Sequence, residues 1–240
     1  MPKTAHHELT RKEMKGPDKF QVAATEAATW AAKRRRQVLA AVVGGFVLLA
    51  VGIGVSAYLD GERSAAGGLL YRAVDAASGE VSSIPLPNAD RPLYKTAAEK
   101  QQAVLAAAGQ VRERHGGSRA ATTAALIEGD AHLAAGAWDK AVAAYQAFLD
   151  KAGEDDSLRF GALDGLARAQ EGKGDLAAAA KTYEQAMRID FYKDRAALER
   201  ARVLVKAGQK AEAQQALASI AKESPLAVEA QERLARLGGQ

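Results

Sequence analysis

The sequence predicts an all-α protein: a single N-terminal transmembrane helix followed by an α-solenoid of stacked helix pairs. Three observations carry this. Ala, Leu, Glu, Lys, Arg and Gln dominate the 240 residues and aromatics make up only 5%, a mix that favours helix over sheet. One run, Gln37 to Leu59, contains no charged residue. Further on, a Gly-led turn ahead of an Ala-rich helix recurs three times.

The first element is a basic tail, residues 1–36. It holds nine basic residues, ending in Lys33-Arg34-Arg35-Arg36, against Glu8, Glu13, Asp18 and Glu26. Its net charge of +5 exceeds the +4 of the whole chain, so the remainder sits near −1. The pI near 9.2 is therefore a property of the tail. A nucleic-acid domain would carry its basic excess on the folded part, so nucleic acid is not an expected partner.

Residues 37–59 follow as a transmembrane signal anchor. At 1.5 Å rise per residue this run matches a hydrocarbon core of roughly 30 Å. It is longer than the apolar core of a cleaved signal peptide, and 36 residues precede it. The basic cluster abuts its N-terminal end, while Asp60, Gly61, Glu62 and Arg63 begin the other flank. The positive-inside bias then puts the N-terminus in the cytoplasm. In a Gram-negative bacterium the C-terminal domain would lie in the periplasm. Ala41, Gly45 and Gly52 are candidates for a helix-packing face within the membrane.

Residues 60–94 read as a helical stalk and a Pro-rich linker. Residues 61–77 continue the helix, and three of the six Pro fall in Ile84–Pro92, where no regular element should cross. Residues 95–240 then form the repeat domain. Lys95 to Arg114 is helical, with apolar residues at Ala98, Val104, Leu105 and Val111. Gly116-Gly117-Ser118 reads as a helix stop followed by an N-cap.

The turns open at Gly136, Gly174 and Gly208, separated by 38 and 34 residues. Nine residues after each comes a bulky side chain: Tyr145, Tyr183 and Leu217. Seven before each comes a small one: Gly129, Ala167 and Ala201. Five after each comes Ala141, Ala179 or Ala213. Small residues let two antiparallel helices approach, and the bulky ones fill the space between layers. The four extra residues of the first period fit the acidic loop Gly153-Glu154-Asp155-Asp156. Pro225 ends the last pair. Leu226, Ala230, Leu234 and Leu237 mark a closing amphipathic helix. A repeat near 34 residues built from helix pairs is the tetratricopeptide pattern.

These segments resemble the family of membrane-anchored tetratricopeptide proteins that includes YfgM, the ancillary subunit of the SecYEG translocon. The matching stretches are Leu9-Thr10-Arg11-Lys12-Glu13, Lys95 to Lys100, Gly136 to Ala141, and Tyr145-Gln146-Ala147-Phe148-Leu149. The Tyr-x-x-Phe-Leu signature is also similar to the outer-membrane assembly lipoprotein BamD and the cell-division coordinator CpoB. The chain lacks the lipid-bearing Cys of the first and keeps an anchor unlike the second. The resemblance implies a scaffold that binds partner proteins or extended peptides. Those partners would include SecYEG and a membrane-anchored periplasmic chaperone, with membrane lipid around the anchor. A structural subunit or assembly factor of another envelope complex, of the cell-division or outer-membrane assembly type, is the second reading.

Chemistry is not expected. There is no Cys, no HExxH, no GxSxG and no Gly-rich phosphate loop. His6 and His7 sit in the polar tail without ligand partners at metal spacing, and His132 falls where a repeat packs an aromatic. Glu154-Asp155-Asp156 reads as a solvated loop. The chain is thus expected to be non-enzymatic, without cofactor or metal. The candidate site is the concave face of the repeat stack. Helix register places Asp130, Asp164, Arg168, Arg195, Leu198, Arg202 and Lys206 there, with Gly161 and Gly165 leaving room for an extended peptide.

Overall fold

The computed structural model describes residues 19–84 and 90–238; the side chains of residues 19–22, 24, 38 and 40–42 lie outside this description. The described residues are mostly helical. It divides into two units, Met1–Leu59 and Asp60–Gln240.

In the first unit, α1 (Lys19–Lys33) breaks at Arg34, and α2 (Arg35–Ser78) starts immediately after. α2 is the one helix among the described residues that is long and apolar enough to cross a membrane, by length and composition. Its Gly44, Gly45, Gly52 and Gly54 would each cost a water-exposed helix about 1 kcal/mol relative to Ala. A lipid surrounding would remove the competing hydrogen bonds of water and offset that cost. From Val43 onward the large apolar side chains of this stretch are exposed.

The second unit begins with the last part of α2, which has a different pattern. Ala66, Ala73 and Ala76 are buried, while Tyr71 between them faces out. Ala73, with Leu69 and Leu70, packs on Ala108, Val111, Ala121 and Ala124. This apolar stripe is the seam of a soluble helix.

The Pro-rich linker is flanked by a feature the sequence reading lacks. β1 (Glu80–Val81) pairs in parallel with β2 (Leu93–Tyr94), Glu80 opposite Leu93. A Cβ on Gly79 would lie 2.5 Å from the Tyr94 ring, so only glycine fits the closure. Lys100 Nζ donates to the Gly79 carbonyl at 2.7 Å, tying it to the next helix.

That helix is α3 (Ala97–His115). Thr96 Oγ1 accepts from Glu99 N–H, and the Glu99 carboxylate accepts from Lys95 N–H. This is a capping box displaced by one residue. α4 (Arg119–Ala134) starts at Ser118, whose hydroxyl accepts from Ala121 N–H. There follow α5 (Trp138–Leu149), α6 (Arg159–Lys173), α7 (Leu176–Ala186), a 3-10 turn (Asp190–Tyr192), α8 (Lys193–Lys206), α9 (Lys210–Ala218) and α10 (Ala227–Gly238). From α3 onward each α-helix packs on the next, and α4 also reaches α6.

Gly136, Gly174 and Gly208 have φ of 70°, 89° and 76°. Any other L-residue is strained there. Each turn launches the next helix two residues later. The interior follows the sequence spacing. Tyr145, Tyr183 and Leu217 are among the largest fully buried side chains, and Ala141, Ala167, Ala179, Ala201 and Ala213 are buried beside them. Leu226, Leu234 and Leu237 pack with buried Ala230 on the last core cluster.

One sequence expectation is corrected. Gly165 does not leave space for a ligand, because the Tyr145 ring occupies it. A Cβ there would meet Tyr145 Cζ at 2.3 Å, and one on Gly129 would meet the same ring at 2.8 Å. A Cβ on Gly172 would likewise meet the Trp138 ring at 2.7 Å. Trp138 and Tyr145 stand seven residues apart on α5, and Gly172 and Gly165 stand seven apart on α6. Two aromatic knobs thus enter two glycine holes of the next helix, running in opposite directions, which sets the α5–α6 register.

Candidate protein-binding groove

The leading helices of the three pairs are α4, α6 and α8. Six residues before each turn glycine they carry Asp130, Arg168 and Arg202. All three of these equivalent positions are at least partly open to solvent.

Asp130 accepts a hydrogen bond from the Tyr145 hydroxyl at 2.6 Å. Its carboxyl pKa is raised, since desolvation outweighs the Tyr145 hydroxyl and the nearby Arg168 charge. Tyr145 is raised too, first by burial and then by its bond to Asp130. The next layer repeats the pairing from a different position. Asp164 accepts from the Tyr183 hydroxyl at 2.9 Å. Both carboxylates therefore satisfy the polar end of a buried tyrosine, as a buried hydroxyl requires.

Between α6 and α8 lies an ion-pair hub. Arg202 donates to both carboxylate oxygens of Glu171, at 2.8 and 2.7 Å. Its Nε–H donates to Glu199 at 2.8 Å. Lys206 Nζ donates to Glu171 at 3.2 Å. These bonds, led by the Arg202 fork, hold the Glu171 carboxyl down at about 2. The two carboxylates push Arg202 upward in turn. A planar fork on a carboxylate fixes geometry as well as charge.

Arg168, Glu171, Arg202 and Lys206 line one depression together with Leu133, Trp138 and Gly172. The structure thus brings together three of the expected residues, Arg168, Arg202 and Lys206. Asp130 and Asp164 lie on the same leading helices and are held by tyrosines. Arg195 is exposed and, among the described residues, pairs with Glu199 at 3.6 Å. Leu198 is 2% exposed and belongs to the core, so it does not face a groove. Spacing of three and four residues joins Arg195 to either Leu198 or Glu199. The buried arc of α8 claims Leu198, and Glu199 takes the open face with Arg202 and Lys206.

Glu171 is the residue the sequence reading missed. Its signal was present: Asp164, Arg168 and Glu171 follow at intervals of four and three on one helix face. His132 is placed as expected of a packed residue. Its Nδ1 is buried and has no hydrogen-bond partner among the described residues, and burial, helped by Lys140, lowers its pKa. In α2, a Cβ on Gly45 or Gly52 would meet nothing within 4 Å. The Ala41 side chain, and residues His6 and His7, lie outside the described residues.

Chemically, the depression offers an aromatic side chain (Trp138), the Arg168 guanidinium and a preorganised ion pair. Such a surface presents apolar and charged groups side by side. Comparison with protein-family models finds no match to the chain, and none of the curated proteins matches it.

Proposed function

We propose that this chain is a non-enzymatic scaffold, anchored in the bacterial inner membrane by residues 37–59. Residues 95–240 form a tetratricopeptide-type solenoid in the periplasm that binds partner proteins. The observation that supports this most is the recurrence of one geometry. Three left-handed glycine turns each join the two helices of a pair, and equivalent positions on three leading helices carry Asp130, Arg168 and Arg202. A stack of equivalent units offers an extended surface suited to an extended peptide. Secretory clients at the SecYEG translocon, or a membrane-anchored chaperone beside it, are the partners this reading favours. The basic cluster before the apolar run supports a cytoplasmic N-terminus.

A second reading places recognition in the membrane helix. Gly45 and Gly52 support it, since both present open backbone one heptad apart. The chain would then be a structural subunit of another envelope complex. Replacing residues 37–59 with an unrelated membrane helix separates the two. Partners recovered by mild-detergent pull-down should be kept under the groove reading. Their loss, with the helical domain still folded by circular dichroism, would transfer recognition to the helix.

A further inference from the structure

The junction between α1 and α2 concentrates positive charge. Lys33, Arg34, Arg35 and Arg36 are consecutive and all exposed. Among the described residues no ion pair joins them to a carboxylate. The nearest acids along the chain are Glu26 and Asp60. One turn ahead of the cluster, Trp30 is 55% exposed. The Arg34 guanidinium lies 5.3 Å from its ring centroid, a cation–π contact that places an aromatic ring and a charge at the same level.

Four adjacent cations without an internal counter-charge call for an external anion. The uncharged run starts at the very next residue, Gln37. The anion must therefore sit where a hydrocarbon layer begins, which is the position of a phospholipid headgroup. Guanidinium forks match phosphate oxygens in pairs. Tryptophan prefers that same boundary between headgroup and chain. A nucleic acid offers phosphate too, but has no place for the apolar run that follows.

We propose that Trp30 and Lys33–Arg36 form a collar that binds the phosphate groups of anionic phospholipids. The collar rests on the reading of residues 37–59 as a membrane span. It draws a shell of anionic lipid around the cytoplasmic end of the helix and fixes its depth in the bilayer.

The test uses the full chain in nanodiscs of phosphatidylcholine with a minor fraction of phosphatidylglycerol, one of the two lipids brominated. Quenching of Trp30 reports which lipid touches the collar, and the Trp30→Phe variant supplies the Trp138 background. Phosphatidylglycerol should be enriched around Trp30 about fivefold over its bulk fraction, the scale of one basic residue engaged at the surface. Arg34→Gln should reduce the enrichment. Combined Lys33→Gln, Arg34→Gln, Arg35→Gln and Arg36→Gln should bring it to the bulk ratio while the chain still incorporates. An incorporated wild-type chain at the bulk ratio overturns the collar. A chain that fails to incorporate overturns the span beneath it. Inorganic phosphate that erases the enrichment at constant ionic strength, where sodium chloride does not, assigns the cluster to free phosphate. Duplex DNA that displaces the lipid assigns it to nucleic acid. Either result also overturns the collar.

Discussion

Two pairs of helical glycines carry the same spacing and opposite surroundings. Gly165 and Gly172 stand seven residues apart on α6, and Gly45 and Gly52 stand seven apart on α2. Over the first pair lie the rings of Tyr145 and Trp138, close enough that a Cβ would collide. Over the second pair there is nothing within 4 Å. In α6 the absent side chain is a hole already filled from within the fold. In α2 nothing within 4 Å fills it. Glycine spacing alone cannot separate these cases, because the occupant of the hole belongs to a different helix.

The contrast can be broken most forcefully at its filled end. Tyr145→Ala should destabilise the helical domain by about 3–5 kcal/mol, since it empties a fully buried aromatic site and leaves Asp130 without its donor. Tyr145→Phe should cost only about 1–2 kcal/mol, the share of the hydroxyl bond. Chemical denaturation followed by circular dichroism measures both, and equal losses would deny the ring its packing role.

Next in size is Gly165→Ala. The added methyl meets a ring that is itself enclosed, so overpacking of about 1–3 kcal/mol is expected. Gly172→Ala should cost less, because Trp138 is only partly buried and can swing aside. A reversed order would mean that Trp138, not Tyr145, sets the α5–α6 register.

The ion-pair hub comes third. Glu171→Gln should cost about 1–2 kcal/mol at neutral pH, given partial solvent screening. The Glu171 carboxyl is depressed in the fold, from 4.5 to about 2. Its contribution is therefore complete above about pH 4.5 and is lost as pH falls through about 2. The variant should lose stability at neutral pH and show a flatter acid limb across that window. An unchanged acid limb would mean the Arg202 fork does not persist in solution.

The open end supplies the smallest effect. Gly45→Leu and Gly52→Leu should leave the thermal transition of the helical domain unchanged within about 0.5 kcal/mol. A marked shift would show that the α2 face is covered by the chain itself.

Much of the fold was legible in the sequence. The helical class, the long apolar N-terminal helix, the Ser118 cap, the Gly-led turns and the burial of Tyr145, Tyr183 and Leu217 all follow from local rules, in which each residue type has one low-energy role. What stayed illegible needed a second element. Leu198 lies at the edge of the buried arc of α8, and only the packed neighbours assign it to the core. Gly165 is room for a peptide only if its own helix is considered, and the Tyr145 ring from α5 fills it. The β1–β2 pair has two residues per strand, too few for any alternation to register. Glu171 showed in the spacing of α6, yet its weight comes from Arg202 and Lys206 on another helix.

The central claim is that the face of α4, α6 and α8 meets a polypeptide. In-cell photocrosslinking from Asp164, Arg168 and Arg202, against Gly45 and Gly52 in the membrane helix, tests it most directly. The account predicts protein adducts from Arg168 and Arg202, with translocon subunits, a periplasmic chaperone or nascent secretory proteins identified by mass spectrometry. Adducts confined to Gly45 and Gly52, with the helical face silent, would contradict it and leave recognition to the membrane helix.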